Sequence, residues 1–171
     1  MASQRYEIRQ RPSPNHGERR DGATVDMLIL HYTAMDSAEG AIKRLCDPES
    51  EVSAHYLVDE EGLVTAMVPE ERRAWHAGVA SWRGRRDINS ASIGIEIANP
   101  GDADFPKQQM AAVAWLCRGV LERHAIPRRY VLGHSDIAPG RKIDPGERFD
   151  WRGLAGQGVG ARVHLHQVVK C

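Results

Sequence analysis

Cysteine is scarce in this 171-residue sequence. Cys46, Cys117 and Cys171 are odd in number, widely spaced and form no Cys-x-x-Cys pair. That excludes a disulfide framework and a cysteine-ligated structural zinc site, and it suits a mildly reducing compartment. Net charge is lacking too, because 23 Lys and Arg balance 23 Asp and Glu. Such a chain does not find its partner by bulk charge, which sets aside non-specific nucleic-acid binding and docking on anionic membranes. No apolar run approaches the length that spans a bilayer. The opening Met1-Ala2-Ser3-Gln4-Arg5-Tyr6 is polar, without the apolar segment of a signal peptide. The expected location is therefore cytoplasmic, or periplasmic if an export segment has been removed. Internal repeats and long linkers are missing as well, which leaves a single domain. A domain of this size buries roughly 70% of its unfolded surface, so it needs neither disulfide nor metal to hold its core. What the sequence does have is histidine, eight in all.

Residues 11–24, rich in Pro, Gly and charge, read as loop. Residues 25–30 contain an apolar run, Met27-Leu28-Ile29-Leu30, of buried-strand length, and the run ends on His31. Asp36 or Ser37 caps a short helix to about Leu45, where Asp47-Pro48 stops it. Residues 55–58 and 63–68, on either side of Asp59-Glu60-Glu61-Gly62, predict a hairpin. Residues 72–89 have no steady period and read as irregular. Residues 92–98 alternate: Ile93, Ile95 and Ile97 face one way, Gly94, Glu96 and Ala98 the other. Pro106 opens a long helix to about His124, with a core-facing stripe of Val113, Leu116, Cys117, Val120 and Leu121. Tyr130-Val131-Leu132 is a further strand, followed by Gly133-His134, a Pro/Gly-rich loop over 135–148, and a short helix from Asp150 to about Gln157. Alternating strands and helices predict an α/β fold with a central mixed sheet flanked by helices. Residues 1–24 are expected to form an N-terminal extension and loop, 25–157 the functional domain, and 158–171 a C-terminal tail.

His31 and His134 both sit where a short apolar strand runs out, and Glu96 lies within a third strand. Sites in open α/β sheets gather near strand ends. A catalytic zinc site takes three ligands from His, Asp, Glu or Cys and keeps a fourth position for water. His31 and His134 are candidates, and the loop after His134 offers Asp136 or Asp144 as the carboxylate. If 142–144 is locally extended, Lys142 and Asp144 project to the same side. An ammonium has no lone pair, so it stands beside a metal without ligating it, placed to stabilise a developing oxyanion. Glu96 has small neighbours, Gly94 and Ala98, that leave room for substrate or water, and its carboxylate can take a proton. Taken singly, each has a plainer role: a hydrogen-bonded histidine, a glutamate solvated on an edge strand, a Lys–Asp pair on an exposed loop.

Six blocks follow one another over about residues 25 to 155. They are Leu30-His31-Tyr32-Thr33-Ala34, Ser53-Ala54-His55-Tyr56-Leu57-Val58, Ala74-Trp75-His76-Ala77-Gly78, Ser92-Ile93-Gly94-Ile95-Glu96, the run from Gly133-His134-Ser135-Asp136 to Lys142-Ile143-Asp144-Pro145-Gly146, and Phe149-Asp150-Trp151. Together they resemble the zinc-dependent N-acetylmuramoyl-L-alanine amidases of the type 2 family, relatives of the peptidoglycan recognition proteins. The resemblance implies a central mixed sheet flanked by helices, with the metal in a surface groove. It implies zinc bound by His31, His134 and Asp144, with Glu96 as the catalytic carboxylate and Lys142 as the cation that stabilises the tetrahedral intermediate. It also implies that Tyr32, His76, Asn89 and Ala138 meet the substrate. The bond cut would join the lactyl carbonyl of N-acetylmuramic acid to L-alanine, making muropeptides the partners and cell-wall turnover and recycling the setting, with the protein acting as a monomer. Some relatives carry a catalytic tyrosine just before the histidine matching His55; Ala54 stands there here, which shifts weight to Glu96. Relatives that recycle cell-wall fragments carry asparagine where this chain has Tyr32, so Tyr32 resembles the broader-specificity branch.

Other features have two readings. Trp75, Trp82, Arg83, Arg85 and Arg86 form either a sugar-stacking, carboxylate-binding rim or tryptophans packed under a loop with arginines in water. His124 suits a favourable charge at a helix end. His164-x-His166 is a metal chelate or part of a polar tail. Two rival functions remain. A non-haem iron oxygenase would use His134, Asp136 and His164, but it leaves His31, Glu96 and Lys142 without roles. A non-catalytic peptidoglycan-binding module can dispense with a ligand, whereas here all three ligands and both helpers are present.

Overall fold

The structure, a computed structural model, describes residues 6–160. In chain order it contains β1 (Ile8–Gln10), β2 (His16–Gly17), β3 (Met27–Tyr32), α1 (Ala38–Leu45), β4 (Tyr56–Val58), β5 (Val64–Ala66), β6 (Arg73–Ala74), α2 (Ile88–Ala91), β7 (Ser92–Ile97), α3 (Lys107–His124), β8 (Val131–Gly133), α4 (His134–Ile137) and α5 (Trp151–Gly156). Six strands make one sheet in the order β1-β5-β4-β7-β3-β8, and β2 pairs with β6 apart from it. β4, β7, β3 and β8 are parallel and β5 runs antiparallel to β4, so the sheet is mixed, as expected.

Local chemistry sets the elements. Met27 to Leu30 are buried on both faces, as a central parallel strand requires. Ser37 Oγ accepts the Gly40 N–H and caps α1, whose last turn carries Lys43 and Arg44. The long helix α3 follows Pro106 and ends at Ala125 in a left-handed conformation. Its predicted stripe packs on Leu28, Leu30, Ile93, Ile95 and Ile97. On the opposite face Met27, Ile29 and Leu132 meet Ala91 and Ile137, while Ala41, Ile42 and Leu45 of α1 cover Ala54, Leu57 and Met67. Strand alternation does the rest. Because Leu30 and Ile95 face α3, His31 and Glu96 face away from it, as adjacent register partners.

Several elements differ from the sequence expectation, among them β6 and the start of α2 within the segment 72–89 that reads as irregular. Segment 1–24 is not all extension and loop: β1 pairs parallel with β5, and the N–H groups of Arg11 and Ser13 donate to the Ala66 and Met67 carbonyls, both at 2.9 Å. Asn15 Nδ2 then donates to the Asp47 and Val52 carbonyls, 2.7 and 2.9 Å. The sheet thus includes a strand well before residue 25, and all three β1 side chains are exposed, so no hydrophobic period marks them. β7 is a central strand, which sets aside the plainer reading of Glu96 as a solvated edge residue and puts it inside the fold. The loop expected from 135 begins instead as α4, whose Gly133 N–H is capped by Asp136 Oδ2 at 2.7 Å. His164, His166 and Cys171 lie outside the described residues. Among the described residues no helix is long and apolar enough to cross a membrane.

Candidate metal centre

Two parallel strands deliver two imidazoles to one point. His31 lies near the end of β3, and β8 runs through Gly133 directly into α4, which starts with His134. Asp144 arrives on the loop beyond α4, and Ser135 N–H donates to its carbonyl at 3.0 Å. Glycine at 133 permits that approach, since a Cβ there would lie 2.8 Å from Pro145 Cδ. His31 Nδ1 is 3.0 Å from His134 Nδ1 and 3.2 Å from Asp144 Oδ2, and His134 Nδ1 is 3.1 Å from the same oxygen. All three residues are buried. Of the two carboxylates the loop offers, Asp144 is the one brought here, while Asp136 serves the helix cap.

The hydrogen bonds behind the imidazoles decide their tautomers. The Ile88 carbonyl only accepts, so Ser92 Oγ donates to it at 2.7 Å and must accept from His76 Nε2–H at 3.1 Å. His76 Nδ1 is then a lone pair that accepts His31 Nε2–H at 3.0 Å, which leaves His31 Nδ1 bare. His134 Nε2–H donates to the Ala77 carbonyl at 3.0 Å, which leaves its Nδ1 bare as well. Burial, followed by the neighbouring histidines, holds His76 well below the ordinary imidazole value. Burial likewise brings His31 to about 4, against the pull of Asp144. Burial alone would raise Asp144, but the imidazoles beside it, His134 first, hold it below the usual carboxylate range. In the tautomers these partners select, two imidazole Nδ1 atoms and a carboxylate oxygen face one another. That donor set fits a metal cation.

Glu96 sits one strand over. Its Oε2 is buried and has no hydrogen-bond partner among the described residues. Burial first, then the charge of Asp144, raises it to about 8 against the opposing effect of Lys142. Lys142 and Asp144 both line a cavity of about 340 Å³ with His31, Tyr32, Trp75, His76 and Glu96. Ile143 between them turns outward, 75% exposed, so the ammonium and the carboxylate share one side.

The remaining expected residues divide. Tyr32 and His76 line the cavity. Asn89 and Ala138 stand behind it: Asn89 Oδ1 accepts the N–H groups of His76 and Ala77, and the Ala138 carbonyl accepts those of Arg141 and Lys142. Arg85 is not brought to the metal centre. It pairs with Asp26 at 2.7 Å and lines a separate cavity of about 90 Å³ with Met27, Trp82 and Arg83, where β3 begins. Of the expected rim only Trp75 reaches the main cavity. His55 is held inside, accepting the Gly94 N–H at Nδ1 and facing the Arg72 carbonyl through Nε2. Sequence reasoning missed Arg19, whose guanidinium donates to the carbonyls of Ser90, Ser92 and Glu70 at 3.0, 3.1 and 2.7 Å. A lone arginine in a polar loop carries no signal for that role.

Residues 21–147 match the family described as N-acetylmuramoyl-L-alanine amidase. The N-acetylmuramoyl-L-alanine amidase AmiD of Escherichia coli K12 is 39% identical over 153 residues, 80% of this chain and 54% of AmiD, so the chain spans about half of that relative. The 1,6-anhydro-N-acetylmuramyl-L-alanine amidase AmpD of the same strain is 32% identical over 160 residues, 84% of this chain and 87% of AmpD. A solved structure of E. coli AmiD with the substrate anhydro-N-acetylmuramic acid-L-Ala-D-gamma-Glu-L-Lys matches with a TM-score of 0.76 at 37% identity, covering 84% of this chain and 62% of that one.

Proposed function

Because this chain belongs to the N-acetylmuramoyl-L-alanine amidase family, we propose that it is a zinc-dependent hydrolase of the amide between N-acetylmuramic acid and L-alanine in peptidoglycan fragments. The observation that carries this reading is the convergence of His31 Nδ1, His134 Nδ1 and Asp144 Oδ2 in a cavity beside the unpartnered carboxylate of Glu96. Those three residues would hold the zinc, which when bound supplies Lewis acidity that polarises a carbonyl and acidifies water.

Glu96 does the proton work. Its buried Oε2 has no competing donor among the described residues, and a cation held beside it would favour the ionised form, which accepts the proton of the attacking water and passes it to the departing amine. Lys142 sets a positive charge on the cavity wall, where the oxyanion of the tetrahedral intermediate develops. Its backbone is anchored by an N–H donated to the Ala138 carbonyl at 3.0 Å, which steadies the loop that carries both Lys142 and Asp144. Tyr32 and Trp75 offer aromatic surface for the sugar and stem peptide along the same wall. The AmiD complex holds a muramoyl sugar bearing a short stem peptide, and we assign that class of substrate here. One copy of the chain supplies every residue of the site, consistent with a monomer.

The test incubates purified protein with muropeptides, with and without chelator, and follows the products by mass spectrometry. Separated sugar and stem peptide, lost on chelation and regained with zinc, are the expected result. Muropeptide binding without release of peptide would make the chain a binding module instead.

A further inference from the structure

We propose that Asn89 is a positioning residue that sets the orientation of both ligand histidines at once, acting through the two-residue segment His76-Ala77. This rests on the reading of His31 and His134 as metal ligands. Asn89 is 8% exposed and belongs to α2, whose start is fixed by Asp87 accepting from Ser90 N–H and Oγ–H. Its Oδ1 accepts two consecutive backbone N–H groups, those of His76 at 3.0 Å and Ala77 at 2.9 Å. Two donors on one oxygen fix which end of the carboxamide faces the segment.

The two residues so held then reach different ligands. His76 accepts His31 Nε2–H through its side chain, while Ala77 accepts His134 Nε2–H through its carbonyl. An imidazole whose Nε2–H has a fixed acceptor presents Nδ1 as a lone pair, and that is the atom each histidine contributes to the candidate metal site. The His76 ring is seated against Gly94, where a Cβ would collide with its Cγ, and Ser92 closes the branch behind it. Arg141 Nη2 adds a second donor on the Ala77 carbonyl at 2.8 Å. Without the Asn89 oxygen, two buried N–H groups lose their acceptor. The segment then shifts, and both histidines lose the partner that selects their tautomer.

The test uses two readouts that need no turnover: nitrogen-15 imidazole spectra of the metal-free protein, which report each tautomer, and zinc affinity by chelator competition. Wild type is expected to show Nε2–H tautomers for His31 and His134. Asn89→Leu mixes the tautomers of both and weakens zinc binding about 10–100-fold, the usual scale for outer partners of metal ligands. Asn89→Asp, which keeps an acceptor oxygen, retains both tautomers and most of the affinity. Ser92→Ala disturbs His31 and leaves His134 as in wild type. A folded Asn89→Leu with wild-type tautomers and affinity overturns the proposal. If that variant fails to fold, mixed tautomers in Asn89→Asp, or an undisturbed His31 in Ser92→Ala, overturn it equally. Correct tautomers in a wild-type protein that binds no zinc would count against the metal reading and leave the orienting role in place.

Discussion

His31 and Glu96 are register partners on the adjacent parallel strands β3 and β7, and both point to the face of the sheet that α3 leaves uncovered. The proposed ligand and the proposed base therefore share one hydrogen-bonded frame. Their separation does not depend on loop conformation, unlike that of Lys142, which stands on the 138–146 segment.

Glu96→Gln keeps the shape of the side chain and removes its basicity. Turnover is expected to fall on the order of a hundredfold or more with zinc content unchanged. Lys142→Ala is expected to lose a similar amount through the oxyanion. Peptide release and metal analysis on the same preparations check both, and turnover near wild type in either variant removes that residue from the mechanism.

Metal removal should leave the fold standing, because the three apolar core clusters, one on the α3 face and two on the other, contain none of the candidate ligands, Glu96 or Lys142. Zinc at a thousandfold excess over its dissociation constant adds about 4 kcal/mol, a rise of about 10 °C in melting temperature for a chain of this size. Circular dichroism and calorimetry on the chelated and reloaded protein measure this. A chelated protein without secondary structure would contradict it.

Glu70 should limit stability in acid. Its two oxygens accept from Tyr56, Arg123 and His124 at 2.7 to 3.1 Å. Burial alone would raise its pKa, but those partners, Arg123 first, bring it to about 2. A carboxyl depressed in the fold stabilises it above the unfolded pKa of roughly 4.3, and that contribution is lost as pH falls to about 2. Glu70→Gln should cost about 1–2 kcal/mol at pH 7 once solvent screening is allowed for. The gap from wild type should close near pH 2, as urea midpoints across that range will report.

Gly133→Ala should act on the metal through the loop. The added methyl meets Pro145 Cδ, so the segment that carries Asp144 must move or the strand end must give, at a cost of about 1–3 kcal/mol. Zinc affinity should fall by more than the change in melting temperature alone explains. Calorimetric titration of the folded variant decides it, and wild-type affinity would show that the loop can yield elsewhere.

The parallel core was legible because burial on both faces leaves an unbroken apolar run at Met27 to Leu30, and the period of α3 places Val113, Leu116 and Val120 on one stripe. His31, Glu96, Lys142 and Asp144 stand where strand ends and the loop after β8 were expected to bring them. Features without a period were not legible. β1 exposes all three side chains, and Arg19 acts on main-chain carbonyls, which have no sequence signature. Arg85 reads as part of a rim because it stands in a cluster of arginines close to Trp82 in sequence. The tight turn that pairs Trp82 with Arg85 sends it to the other end of β3. Asn89 could be named but not given its place, since nothing in a sequence tells whether a carboxamide faces a cavity or the backbone behind it.

The three candidate ligands are far apart along the chain, with His31 separated from His134 by 103 residues and from Asp144 by 113. During synthesis the first imidazole emerges long before its companions exist, and no fragment shorter than most of the domain contains the set. The proposed chelate therefore forms only when almost the whole domain exists, and a polypeptide interrupted upstream of His134 holds just one of the three donors.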